Sequence, residues 1–291
     1  MNQLSDNIKD LRNKTGAGFL DCKKALLEND NDIDNSINYL RKKGLAKASK
    51  KYSRDAKEGA VGCFSNETKT VLLEINTETD FAAKNEVFLN FFENLGNKIL
   101  INFSDLEGDI NIDDITSKIV DKEKISDLLD SAIAKIGENI ILKKIYFINK
   151  SSDTQIYTYT HNSYRKNIGK ICVILKAKTH LNEETTLLGK NLCMHIAALK
   201  PLSIDIDNLD KKLIQNERNI QIETINSSGK SKEIIDKILN GKMQKYYSEV
   251  TLLNQKYVLD DKKNIKEIIE EFNKSNSFEI LDYKLFILGS E

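Results

Sequence analysis

The stretch TKTVLLEINTETDFAAKNEVFLNFFENLGNKIL, Thr68 to Leu100, decides the fold because its hydrophobic period changes part-way along. Its first part, through Asn76, reads as a buried strand, whereas Glu86 to Leu100 places apolar residues at helical spacing. Upstream, GAVGCFSN (Gly59 to Asn66) is another extended run, and the polar residues around Asn66-Glu67 join the two as a hairpin. The order strand, strand, helix recurs later as TQIYTYTHN, GKICVILKAKT and EETTLLGKNLCMHIAALK, the last ended by Pro201. This recurrence predicts an α+β protein with a core of two similar subdomains, an internal duplication whose period is too long for a solenoid.

The connection TETDFAAKN, Thr77 to Asn85, is not an ordinary turn. It has neither Gly nor Pro and sets Asp80 directly against Phe81. In one reading Thr77 and Asp80 form a capping-box-like pair and Phe81 staples onto the following helix. In the other, the strand end and the helix start hold an acid and an aromatic ring outward for a partner.

Outward from this unit, residues 1–50 read as a compact three-helix domain. Ser5 can cap a helix with Ile8 and Leu11 that stops at Thr15-Gly16, and a second helix spans about Leu20 to Asn29. Asp32 or Asp34 can cap a third, carrying Ile33, Ile37 and Leu40 and ending before Gly44. The basic run KGLAKASKKYSRDAKEG that follows reads as a solvated linker or exposed connecting helix, with a phosphate-binding patch as the alternative. Residues 51–145 are then the first core subdomain and residues 146–291 the second. Lys122 to Ile136 reads as a helix leading into the strand-like ENIILKKIYFINK. In the second subdomain, helical patterns from Asn208 to Ile225 and Ser231 to Tyr247 flank SSGKS and predict an inserted antiparallel hairpin, about residues 205–248. EVTLLNQKYVL then reads as a strand, NIKEIIEEF as a helix and FEILDYKLFILG as a final strand.

Composition narrows the function classes. Basic and acidic side chains balance at 44 each, so counterion release from a polyanion is not the expected source of affinity, and no nucleic-acid partner is expected. The scattered Cys22, Cys63, Cys172 and Cys193 form no CxxC pair, which argues against zinc and reads as reduced thiols. No apolar run approaches the roughly 20 residues that span a bilayer. MNQLSDNIKDL has no basic start and no apolar targeting core, so a cytoplasmic protein without membrane contact is expected. GxxxxGK[ST], GxGxxG, HExxH and GxSxG are all missing, and His161, His180 and His195 offer few acid-base groups, which favours a non-enzyme.

A second dense stretch is TGAGFLDCKKAL, Thr15 to Leu26. Its glycines permit a tight turn and close backbone approach, so it either packs the helical domain or docks a partner. TGAGFLDCKKAL and TETDFAAKN together, with their spacing, resemble elongation factor Ts, the bacterial guanine-nucleotide exchange factors for elongation factor Tu. KASKKYSRDAKEGAVG, NSYRKNIGKICVIL, MHIAALKP and SGKSKEIIDKILNGKMQKYYSEVTLLNQKYV are similar to that family too, so the resemblance runs from about Asn7 to Phe286.

The resemblance implies an N-terminal domain of the ubiquitin-associated type and a hairpin that can mediate homodimer formation. It implies no cofactor, no resident metal and no bond change. The partner it implies is elongation factor Tu, whose GDP-bound form is engaged and whose magnesium site is perturbed so that GDP leaves and GTP can bind. Thr79, Asp80 and Phe81 match the family motif that enters the GTPase beside its magnesium, with Ala82 where Val is common. Phe19 and Lys23 match its N-terminal contact. His195 matches a histidine near the GTPase surface but also borders the apolar stripe Leu188, Leu192, Ile196, Leu199. Lys84 can pair with an acid on the partner or stay solvated. The chain ends at FILGSE, where longer members continue into a further helix that contacts the GTPase, so that contact is expected to be absent. The alternative function is a ubiquitin-associated-like binding adaptor without exchange activity.

Overall fold

The computed structural model describes residues 3–15, 17–226 and 232–290. The first helices are α1 (Gln3–Thr15), α2 (Phe19–Glu28) and α3 (Ile33–Ser49). Ile8, Leu11, Cys22, Ala25 and Leu26 form their small core, with Ile33, Ile37 and Leu40 packed against it. Asp32 caps α3, accepting from the Asn35 amide at 2.7 Å. Ser5 lies inside α1 rather than at its cap. Helix α3 also does not stop before Gly44 but runs through it to Ser49. A Cβ at Gly44 would lie 3.1 Å from the Ala134 Cβ, so the glycine serves close helix packing and not termination.

The chain continues as β1 (Glu58–Ser65), β2 (Lys69–Thr77), α4 (Asp80–Ala83), α5 (Glu86–Asn102), β3 (Gly108–Asp109), α6 (Ile112–Thr116), β4 (Ile119–Val120), β5 (Glu123–Lys124), α7 (Ile125–Ile136) and β6 (Ile140–Asn149). Then come β7 (Thr154–His161), β8 (Ile168–Gly169), β9 (Ile171–Thr179) and α8 (Glu183–Leu199). The two long helices α9 (Lys211–Asn226) and α10 (Lys232–Val250) follow, and β10 (Lys256–Tyr257), β11 (Asp260–Asn264), α11 (Ile265–Phe272) and β12 (Phe278–Ile287) complete the fold. The expected turn SSGKS lies outside the described residues. EVTLLNQKYVL is only briefly extended: α10 continues to Val250 and a 3-10 turn at Leu252–Asn254 precedes β10.

These elements form two compact units. The first comprises residues 1–148, 162–171 and 286–291. Its sheet has the order β3-β6-β2-β1-β8, with β1 antiparallel to β2 from Glu58 opposite Thr77 to Ser65 opposite Thr70. Strand β2 is buried along its whole length, its apolar Val71, Leu72, Leu73 and Ile75 together with the polar Lys69, Thr70, Glu74, Asn76 and Thr77. Against it α5 buries Phe88, Phe92, Leu95 and Ile99. Segments expected in the second subdomain belong to this unit: β8 pairs with β1, and the Gly289 amide donates to the side-chain carboxylate of buried Glu74 at 3.0 Å. The second unit, residues 149–161 and 172–285, holds a sheet of order β12-β9-β7 with α8, and the pair β10-β11. Within it α9 and α10 carry a core of their own, made by Ile225, Leu239 and Met243 with Ile214, Ile222 and Ile235 against them.

Candidate functional site

The segment between β2 and α5 is held from both ends. Thr79 caps α4, its hydroxyl accepting from the Ala82 amide at 3.2 Å, and the Thr77 hydroxyl donates to the Thr79 carbonyl at 2.8 Å. Asn85 caps α5 by accepting from the Val87 amide at 2.8 Å. Ala82 and Ala83 face the core. The capping pair is therefore Thr79 with Ala82, not Thr77 with Asp80. Phe81 does not staple onto α5, because its side chain is 84% exposed. Among the exposed large apolar side chains of the described residues Phe81 has the highest exposure, and its place at the tip of a turn fixed at both ends makes it a candidate contact.

Asp80 stands beside that ring and forms an ion pair with Lys84, one helical turn on, at 2.8 Å. The hydrogen bond from Lys84 holds the Asp80 carboxyl below its ordinary pKa, with the charges of Lys84 and Lys170 and the Phe81 amide acting in the same direction. Asp80 is thus ionised, and Lys84 is neither unpaired nor turned away. Of the four motif residues, Asp80 and Phe81 point outward, while Thr79 and Ala82 are occupied in holding the turn.

Helix α2 offers a second exposed apolar face. Phe19 is 50% exposed and Lys23 lies one turn along, while Leu20 and Leu27 are also in solvent. Cys22, Ala25 and Leu26 take the buried side. Gly18 has an ordinary extended backbone (φ −64°, ψ 153°) and open space around it, so it makes neither the tight turn nor the close approach expected of it. Gly16 lies outside the described residues.

His195 is fully buried on α8. Its Nε2 donates to Gln255 Oε1 at 3.0 Å, and its Nδ1 accepts from the Val258 amide at 3.2 Å, which fixes the neutral tautomer. Burial holds the imidazole pKa below its ordinary value, with the Gln255 bond opposing. The ring is a core group whose bonds hold Gln255 and Val258, and a surface contact by His195 itself is not what the structure displays. Exposed Val258 and Leu259 follow from that anchor.

The family model described as elongation factor TS matches residues 78–290 of the chain. Elongation factor Ts of Allorhizobium ampelinum is 37% identical over 268 residues, covering 92% of this chain and 85% of the relative. That of Sinorhizobium fredii is 38% identical over 269 residues, covering 92% and 86%. The chain belongs to the elongation factor Ts family. The elongation factor Ts match begins at Glu78, immediately before the Thr79 cap, so it takes in the whole exposed turn.

Glu138 and Asn139 bond the candidate turn, and reading this elongation factor Ts sequence by periodicity misses them. They open the strand-like run ENIILKKIYFINK, yet they precede β6 and follow Gly137, which ends α7 with a left-handed φ of 89°. Both Glu138 oxygens accept from Thr79, one from its amide at 3.0 Å and one from its hydroxyl at 2.7 Å. The signal in the sequence is an acid and an amide placed between a helix-ending glycine and an apolar run. Among the described residues, no group of three or more His, Cys, Asp or Glu could hold a metal ion, and no helix is long and apolar enough to cross a membrane.

Proposed function

We propose that this chain is the guanine-nucleotide exchange factor for elongation factor Tu in translation elongation. It makes and breaks no bond; it binds the GDP-loaded GTPase, perturbs the magnesium site and releases GDP so that GTP can enter. The observation that carries the reading is Phe81, exposed on a turn fixed at both ends, beside an ionised Asp80. Phe81 is the wedge that enters the partner, and Asp80 the charge brought against its metal shell. Lys84 keeps Asp80 oriented until docking. Thr79 and Ala82 hold the wedge in place. Phe19 and Lys23 dock the three-helix domain on the GTPase, and His195 acts through the Val258-Leu259 loop that it anchors.

Exchange by this route is differential affinity: the factor binds the empty GTPase more tightly than the loaded one, and the nucleotide weakens the factor's grip by the same ratio. Shifting a mostly loaded population to a mostly empty one takes about 5.5 kcal/mol of coupling. Burying one Phe supplies about 1.5 to 3 kcal/mol. The wedge alone is insufficient, so several contacts share the work. The test is stopped-flow release of a fluorescent GDP from elongation factor Tu, with and without free magnesium. Acceleration by catalytic amounts of this chain is expected, and binding without acceleration would make it an adaptor.

A further inference from the structure

A helix of four residues cannot hold itself, because a single turn lies below the length at which backbone hydrogen bonds offset nucleation. Helix α4 must therefore take its position from outside. Its cap and the burial of Ala82 and Ala83 supply part of that. The rest comes from across the sheet, where β2 and β6 are neighbours.

At that place the chain forms a reciprocal clasp. Glu78, which follows β2, accepts from the Asn139 amide at 2.7 Å, while Glu138, which precedes β6, accepts from the Thr79 amide at 3.0 Å. Each acid thus bonds the backbone of the residue next to the other acid. A second Glu138 oxygen takes the Thr79 hydroxyl, the group that caps α4. Asn139 is buried, and its side-chain Nδ2 donates to the carbonyls of Arg54 at 2.8 Å and Tyr52 at 3.4 Å, in the segment leaving α3. Arg54 in turn meets both Glu78 oxygens at 3.3 Å. Charge-assisted bonds of this kind are roughly twice as strong as neutral ones, and a carboxylate with both oxygens on one residue fixes direction as well as distance.

We infer that Glu138 is a positioning residue for the Asp80-Phe81 pair, holding α4 through Thr79, and that Glu78 and Asn139 close the same clasp and tie it to the segment leaving the three-helix domain. The inference rests on the exchange reading above, since it assigns the clasp to the same wedge. Glu138 itself need not touch the partner. Its effect is to keep the ring of Phe81 at the angle at which it enters the partner.

The experiment compares the full chain with Glu138→Ala, the milder Glu138→Gln, Phe81→Ala and the double variant Glu138→Ala/Phe81→Ala. Hydrogen exchange at individual amides and nucleotide release across factor concentrations are measured for each. In Glu138→Ala the Thr79 amide should lose protection by about tenfold, the low end of the scale set by one charge-assisted bond, while strand amides of β1 and β2 keep theirs. The release rate at saturating factor should fall by a similar factor with little change in the half-saturating concentration, and Glu138→Gln should lie between. The double variant should be no slower than Phe81→Ala, because residues acting as one unit are not additive. Should Glu138→Ala fail to fold, Glu138→Gln carries the same comparison. Unchanged Thr79 protection, or additive defects in the double variant, would overturn the inference. An unmodified chain that releases no nucleotide overturns the exchange reading instead, and the amide protection still decides whether the clasp holds α4.

Discussion

In the exchange mechanism proposed above, Phe81 and Asp80 divide one task. Phe81→Ala removes the apolar group, and a central aromatic anchor is worth about 2 kcal/mol or more, so release at fixed factor should fall by roughly thirtyfold or more. Asp80→Ala should cost less, and its defect should shrink when magnesium is chelated, because no metal then has to be displaced. Stopped-flow release for both variants, after circular dichroism confirms folding, checks this; a normal rate for Phe81→Ala would return the ring to a structural role. His195 makes a different prediction. Its folded-state pKa is lowered, so the neutral ring takes up a proton mainly on unfolding. Stability is then full above the ordinary histidine range and falls as pH drops through it. The melting temperature should decrease between about pH 7.5 and about pH 5.5, and His195→Gln should narrow that difference. At this scale the acid-aromatic pair was legible because it breaks the pattern of a surface turn. The burial of His195 was not, because an apolar stripe beside a histidine fits either side of a helix.

At the scale of elements, α5 shows how tightly the first unit is packed. A Cβ on Gly96 would sit 2.2 Å from the Phe64 ring. Alanine gains about 1 kcal/mol of helix propensity over glycine, but overpacking costs about 1 to 3 kcal/mol. Gly96→Ala should therefore be net destabilising by roughly 1 kcal/mol, read as a lower denaturant midpoint, with the overpacking term decisive. The pair α9 and α10 predicts the opposite behaviour. Its apolar residues pack on one another, so replacing Lys211 to Met243 by a short Gly-Ser linker should leave nucleotide release largely intact. Leu213, Ile220 and Ile234 are exposed on these helices, and the same deletion should abolish any self-association measured by sedimentation. Loss of exchange by a folded deletion variant would place the hairpin in the active surface.

Over the whole molecule, the proposed mechanism needs more than one contact region, because burial of a single Phe falls short of the required coupling. Phe19 and Lys23 are far in sequence from Phe81, and together they present an exposed face of α2. Replacing both by Ala should raise the factor concentration for half-maximal exchange by about tenfold, a loss of ~1.4 kcal/mol, with less effect on the rate at saturation. A titration of release rate against factor concentration separates these effects. An unchanged concentration dependence would leave TGAGFLDCKKAL as helix packing alone.

The sequence by itself determined the α+β class, the hairpin before α5, the repeat of strand, strand and helix, and the prominence of Asp80 and Phe81. Those features are local: period, capping residues and turn composition are written within a few residues of one another. The tertiary structure decided what depends on residues brought together from afar. It showed that Phe81 is left in water, that Lys84 is paired with Asp80, that His195 is enclosed between α8 and the Gln255–Val258 turn, and that residues 162–171 and 286–291 join the first unit. It also brought Glu138 to Thr79, a pairing no spacing rule contains, because hydrogen bonds across a sheet follow strand register and not sequence distance.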